Sequence, residues 1–535
     1  MRQEINMLVL EEYVLINSVL KMKISNMKKY ILFFLLTVGI LETVKANNLT
    51  ISTPIYSDAN KTVSFNISWD NSWRISAGPT NYDGVWIFIK RQACSNTNIW
   101  ATALVSTTSG DHATSIASGT NLLSVDAVSD GMGVFVRRTY NGLGNIGLHT
   151  VTLKLNSSMT TSPAITPSSS DNFKVFGIEM VYVPQGQFYL GDGRPTNSNN
   201  FSAGNNASTP LLITAATQAA GLGASTNYTS NSTYGCPNFL PSTFPIGYNA
   251  MWCMKYEITA VSYVDFLNTL TYDQQSVRLS KWGTRYPNSV NTYFGNGGQK
   301  GSIYTSVAGT YNTIPATFTY NTSYMSYTPV NYLSWTDLTT YLDWAGLRPM
   351  TDFEYEKVCR GPLNPIPYEF PWGNTLITQA SGTGSNNGTY QERVGQSGEG
   401  LCFYQWNDNN WAPYRSGFAA TATTTRSQSG ATYYGIMEIG GNVSEQVVGG
   451  GSGYDYSNFT TANGDGALGA DGNANTAGWP TGIGANTGNY CKGGDFYGYG
   501  SYPSIIQVSD RQLYGGNTYN NGQNNGTGGR GVRSF

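Results

Sequence analysis

Between residues 47 and 156 apolar and polar positions alternate in short runs. They are Val63-Ser-Phe-Asn-Ile-Ser-Trp69, Gly84-Val-Trp-Ile-Phe-Ile89, Gly133-Val-Phe-Val136 and His149-Thr-Val-Thr-Leu-Lys-Leu155. A period of two, punctuated by Asn, Gly and Asp, predicts strands with one buried face, and several in succession predict an antiparallel β-sandwich. Residues 157–172, SSMTTSPAITPSSSDN, have the composition of an extended linker. From 173 to 535 the pattern changes. Only Thr259–Leu270, Ser334–Ala345 and Thr351–Cys359 carry apolar residues at helical spacing. Ser334 with Asp337, and Thr351 with Glu354, form capping boxes that start the second and third helices. The remainder reads as short strands joined by long Gly/Asn/Ser/Thr loops, of a length that is uncommon unless loops carry function or are pinned by packing or ions. The fold class expected is α+β.

One apolar run precedes the sandwich. Ile31–Leu41 follows Met27-Lys28-Lys29 and is followed by Val44-Lys45-Ala46, which predicts a secretory signal peptide over residues 1–46 with cleavage after Ala46. Translation is then expected to begin at Met22 or Met27, leaving 1–26 as an extension without a role. The run is short for a membrane span, and no later segment is apolar enough to be one. A secreted, cell-surface or periplasmic location follows as an expectation.

Composition narrows the partners. With 30 Lys+Arg against 32 Asp+Glu, and 12% charged residues, the chain has no basic stripe for a phosphate backbone, so nucleic acid is excluded as a partner. At 40% hydrophobic and 13% aromatic it is too apolar for intrinsic disorder. Its polarity comes from amides, hydroxyls and phenols. The two histidines, His112 and His149, both fall in the sandwich, where ordinary satisfied or solvent-facing roles are expected. Six cysteines in an exported chain leave many disulfide pairings open, with Cys236 and Cys253 close enough in sequence to pair locally. None lies in a CxxC motif, which argues against zinc or an iron–sulfur cluster.

The region after the linker resembles the formylglycine-generating enzyme (sulfatase-modifying factor) domain family. The resemblance is carried by Met180-Val-Tyr-Val-Pro-Gln-Gly-Gln-Phe-Tyr-Leu-Gly191, by Tyr256-Glu-Ile-Thr259, and by Pro329-Val-Asn-Tyr-Leu-Ser-Trp335 through Trp344-Ala-Gly-Leu-Arg348. Thr351-Asp-Phe-Glu-Tyr-Glu356, Cys359-Arg-Gly361, Phe370-Pro-Trp-Gly-Asn374, Gly435-Ile-Met-Glu-Ile-Gly-Gly-Asn-Val-Ser-Glu445, Lys492-Gly-Gly494 and Gly531-Val-Arg533 continue it in order. The resemblance implies a C-type-lectin-like α+β domain over 173–535, with long loops and few helices, behind the Ig-like sandwich of 47–156.

Oxidases of that family hold copper through two cysteines just after the block matched by Lys492-Gly-Gly-Asp495. Those positions fall here on Gly498 and Pro503, which offer no soft ligand, so no copper is expected. An iron-dependent branch uses histidines, and residues 173–535 contain none, so no iron is expected either. Catalysis by a copied family mechanism is therefore not expected, and no catalytic residue is assigned. The resemblance does imply a structural calcium site, built from the Glu438 carboxylate, the Gly441 and Val443 carbonyls and the Glu445 carboxylate.

The segment 495–529 replaces the family's catalytic loop with Tyr separated by Gly, Ser and Asn, the palette of a recognition surface. Tyr497, Tyr499, Ser501, Tyr502, Arg511, Tyr514, Asn517, Tyr519 and Asn520 are the candidate ligand-binding residues, for a glycan or a protein surface. The function expected is a secreted or surface-exposed, non-catalytic binding or structural module. Its alternatives are a family enzyme with altered chemistry, a variable protein of a diversity-generating retroelement, or a component of an envelope or motility assembly.

Overall fold

The computed structural model describes residues 48–94, 98–156, 170–194, 201, 209–216, 240–278, 293–294, 303–311, 313–320, 327–381, 385–386, 391–405, 412–449, 458–481, 488–498, 502–511 and 525–535. Its main strands are β1 (Thr62–Arg74), β2 (Asp83–Gln92), β3 (Leu123–Ala127), β4 (Gly133–Arg138), β5 (Gly142–Lys154), β6 (Asn172–Val183), β7 (Met251–Met254), β8 (Arg348–Pro349), β9 (Ser444–Val448), β10 (Asn489–Lys492), β11 (Thr527–Gly528) and β12 (Gly531–Ser534). The longer helices are α1 (Ala260–Leu267), α2 (Trp335–Trp344) and α3 (Asp352–Arg360).

The period-two pattern of β1 does what it predicts. Val63, Phe65, Ile67 and Trp69 are buried while their neighbours are half-buried. β1 pairs with β5 in antiparallel register, Phe65 opposite Val151 and Val63 opposite Leu153, inside a five-stranded sheet. Against that sheet packs a second one of eight strands, whose main path runs β8-β12-β7-β6-β2-β4-β3. Val85, Ile87 and Ile89 of β2 and Val134 and Val136 of β4 close the sandwich core with the β1 and β5 residues.

β2 is buried at every position, because its other face belongs to a second core. Trp86 and Phe88 pack there with Phe135, Phe176, Met180 and Trp344, and Phe88 meets Trp344 edge-on at 5.0 Å. The sandwich region and the region from Asn172 onward thus share one sheet: β2 pairs with β6 from Asn172↔Gln92 to Val181↔Asp83, so the strand already begins within the segment expected to be linker. Polar contacts reinforce the seam. Lys255 Nζ lies 3.3 Å from Asp83 Oδ2 and 3.1 Å from Glu179 Oε2, all three buried, with the ammonium over the Trp73 ring. Trp86 Nε1 donates to Ala345 O at 2.8 Å, Asn81 Nδ2 to Tyr434 O at 2.8 Å, and Arg533 pairs with Asp130 at 2.5 Å.

All three expected helices form. Thr259, Ser334 and Thr351 are their N-caps, and the Ser334/Asp337 and Thr351/Glu354 capping boxes are complete. A further helix, Tyr272–Ser276, was not expected; its Thr271/Gln274 capping box is present, but five residues are too few to show helical periodicity. Both histidines are held by backbone: His112 ring nitrogens meet Ser106 O and Lys154 N, and those of His149 meet Gly147 O and Leu122 N. Cys94, Cys253, Cys359, Cys402 and Cys491 are free thiols, so Cys253 is unpaired, while Cys236 and the signal segment lie outside the described residues. Among the described residues no helix is long and apolar enough to cross a membrane.

Candidate functional site

A small sheet positions the site. β9 pairs antiparallel with β10, Glu445 opposite Lys492, and parallel with β11, Glu445 opposite Gly528. The turn leading into β9 uses three left-handed residues, Glu438 (φ 48°), Gly441 (φ 78°) and Asn442 (φ 61°). Gly441 is required: a Cβ there would lie 2.4 Å from Cys402 Sγ and 2.6 Å from Phe403 O.

Side chains from distant parts of the chain fix this turn. Asn442 accepts from Tyr414 N at 3.0 Å and donates to Glu257 Oε2 at 2.9 Å, while Val443 N donates to Glu257 Oε1 at 3.0 Å. Arg530 binds Glu445 Oε1 at 2.7 Å and also donates to the Met254, Lys255 and Met437 carbonyls. Glu257 and Arg530 were missed at the sequence level. The Tyr256-Glu-Ile-Thr motif marked the position of Glu257, but nothing local reveals that its carboxylate braces a turn about 185 residues away.

The four residues expected to ligate calcium, Glu438, Gly441, Val443 and Glu445, lie in this turn and at the start of β9. Glu438 and Glu445 are buried, and Glu445 Oε2 has no hydrogen-bond partner. Burial pushes the Glu438 carboxyl up to about 7, with the Gly417 N–H and the Arg530 and Arg415 guanidiniums partly offsetting it. Burial and the neighbouring Glu445 push Glu257 well above the usual carboxylate range. Burial also raises Glu445, against the opposing pull of its Arg530 ion pair. Two buried carboxylates, one with an unpartnered oxygen, at a turn that also carries backbone carbonyls have the chemistry of a hard-cation site. Among the described residues no group of three or more His, Cys, Asp or Glu side chains is arranged to hold a metal, so any ion here would depend on the backbone oxygens.

Beyond β10 the chain enters the segment that carries the candidate ligand-binding residues. Asp495 is fully buried; its Oδ1 accepts from Tyr497 N at 2.8 Å and Gly498 N at 3.0 Å, whereas Oδ2 has no partner. Burial pushes its carboxyl up to about 6, offset by those two N–H groups. Tyr502 stacks on Tyr404 with centroids 5.6 Å apart, and its hydroxyl donates to Asp495 O at 2.7 Å and accepts from Asp495 N at 2.8 Å. Tyr497 is half-buried, edge-on to Phe496.

Tyr497 and Tyr502 therefore lie together around Asp495. Arg511 does not join them as a surface residue. It has no exposure; its Nε lies 2.9 Å from Asp352 Oδ2 and 3.0 Å from the Tyr490 hydroxyl, and its guanidinium covers the Phe201 ring. Its placement corrects the expectation of a ligand-facing role, for a reason invisible locally: Asp352 lies on α3, far away in sequence. Tyr499, Ser501, Tyr514, Asn517, Tyr519 and Asn520 lie outside the described residues.

A sheet-rich α+β chain with few helices and a carboxylate-lined Gly-Asn-Val-Ser-Glu turn defines the class. The chain belongs to the sulfatase-modifying factor enzyme 1-like domain family (FGE-sulfatase), which matches residues 169–533, more than half of its length. It is similar to the formylglycine-generating enzyme of Mus musculus, 49% identical over 49 residues, or 9% of this chain and 12% of that protein. It is also similar to the formylglycine-generating enzyme of Thermomonospora curvata, 46% identical over 48 residues, or 9% of this chain and 15% of that protein. The matches thus span only 12–15% of the length of these relatives. A solved group B streptococcus pilus 2b backbone protein overlaps 39% of this chain and 89% of its own at 14% identity, but its TM-score of 0.10 defines no shared fold.

Proposed function

We propose that this chain uses the family scaffold without the copper chemistry, presenting the Tyr/Asn/Gly-rich C-terminal segment to a glycan or protein ligand at a surface outside the cell. The observation that carries this is the pair of residues where the resemblance to the family implies the copper ligands. Gly498 and Pro503 have no thiolate or other side-chain donor, and Gly498 adopts φ 94°, a conformation that disfavours a cysteine in its place. Cys491 is no substitute: it sits buried on β10, before the Lys492-Gly-Gly block rather than after it.

Support for a presenting role comes from the flanks of the segment. Lys492 Nζ donates to Val508 O and Asp510 O, both at 2.8 Å, while Arg511 pairs with Asp352 and Arg530 with Glu445. The described residues on either side of 512–524 are therefore fixed by buried charge pairs, which would hold both ends of a presented segment.

Two assays test the proposal. Incubated with copper and a cysteine-containing sulfatase peptide, the protein is expected to leave the peptide mass unchanged; formylglycine formation would refute it. Tyr497→Ala is expected to abolish retention on a glycan array without lowering Tm. Retention that survives the substitution removes that residue from the recognition surface.

A second reading, altered chemistry on the same scaffold, is favoured by one feature: Asp495 has a buried unpartnered oxygen and a raised pKa beside Tyr497 and Tyr502, the combination of a general acid–base. Asp510, by contrast, lies 3.6 Å from Arg194 within a buried ion-pair group. Calcium also belongs to the proposal: Glu438, Gly441, Val443 and Glu445 would hold it, and it would neutralise buried carboxylates and stiffen the turn.

A further inference from the structure

A cavity of about 680 Å³ lies beside the end of β12, bordered by Tyr182 and Gln185, the segment 242–250 and Thr460–Thr461. Its volume is within the usual range for small-ligand sites, roughly 300–1,000 Å³. None of its described lining residues comes from the 495–511 segment, so it is separate from the site above.

Its chemistry is specific. Tyr182, Tyr248 and Phe535 supply aromatic surface. Tyr182 is held in place by stacking on Tyr82 at 4.7 Å and meets Phe535 edge-on at 5.7 Å. Gln185, Thr243, Asn249 and Thr461 are exposed around it, offering amide and hydroxyl groups. The charged residues on its wall cancel: Arg348 NH2 and NH1 bind the Glu354 carboxylate at 2.6 and 2.8 Å, and Arg348 Nε donates to Ser534 Oγ at 2.8 Å.

We infer that this cavity binds a neutral oligosaccharide. Sugar rings present C–H faces that pack on Tyr and Phe, and hydroxyl pairs that match the combined donor and acceptor of each side-chain amide. Among the described lining residues an anionic ligand finds no unsatisfied cation, since the guanidinium is already occupied by carboxylate, hydroxyl and carbonyl oxygens. A wholly apolar ligand would strip water from the amides and hydroxyls without replacing it. This site stands independently of the reading of the C-terminal segment.

Isothermal titration of the intact chain tests it, with maltotriose, cellotriose and triacetylchitotriose as neutral probes and 3′-sialyllactose as the anionic one. At least one neutral trisaccharide is expected to bind, and the exposed-site double variant Gln185→Ala/Asn249→Ala is expected to weaken it at least tenfold with an unchanged Tm. Tyr248→Ala is expected to weaken it as well, and Tyr248→Phe to retain most of the affinity. Absence of binding by all three neutral probes overturns the inference, as does tighter binding of sialyllactose. Binding that Tyr497→Ala abolishes and Gln185→Ala/Asn249→Ala leaves untouched places the sugar on the C-terminal segment and also overturns it.

Discussion

A fragment beginning at residue 169 is expected to yield no folded protein, although it contains the whole family match. The reason is β2. Removing the sandwich strips the β6 edge of its partner from Phe173 through Val181 and takes Trp86, Phe88, Met132 and Phe135 out of the core beneath α2. Truncating one buried aromatic to alanine costs about 3–5 kcal/mol. Losing several at once exceeds the roughly 5–15 kcal/mol that holds a domain together. A single substitution probes the same seam. Lys255→Met leaves Asp83 and Glu179 buried without their cation, which is expected to destabilise by about 3–5 kcal/mol. Gel filtration and circular dichroism melts read both outcomes. A monomeric 169–535 fragment with a cooperative melt would show that the family region does not need the sandwich.

In chelator, the protein is expected to be more stable near pH 5 than near pH 8, with calcium abolishing much of that difference. Glu438 ionises near 4.5 when unfolded, and burial lifts it to about 7 in the fold. Between those values the folded chain binds more protons than the unfolded one, so this group lowers stability as pH rises through the window, by about 3 kcal/mol in total. Glu257, raised in the same direction, adds to the slope. Calcium replaces the missing proton as the counter-charge and stabilises the ionised form, so its effect on Tm should be largest at pH 8. Glu438→Gln is expected to flatten the pH slope and remove the calcium response together. An identical Tm with calcium and with chelator at pH 8 would eliminate the proposed ligand set.

Much of the fold was legible because it rests on short-range patterns. Val63, Phe65, Ile67 and Trp69 recur at the strand period, and the three cap residues Thr259, Ser334 and Thr351 stand where the helices begin. The ordered motifs marked the family, and the Gly-Asn-Val-Ser-Glu turn marked where carboxylates would gather. Other features were hidden. In β2 the run Val85–Ile89 was read as one more sandwich strand, yet its continuous apolarity is the mark of burial on both faces. Arg511 read as a ligand contact because it stands in a polar loop sequence, whereas Asp352 makes it part of the frame.

By itself, then, the sequence determined the strand and helix periods, the caps and the family, since each is a matter of residue type, local spacing or ordered motifs. Only the tertiary structure decided that the sandwich and the family region share a sheet, that Lys255, Arg511 and Arg530 are buried in ion pairs, and that the Glu438 and Glu445 carboxylates are buried. Each of these depends on groups far apart in the chain. The free energy of a buried charge is set by what the fold brings within a few ångströms of it, which no local pattern records.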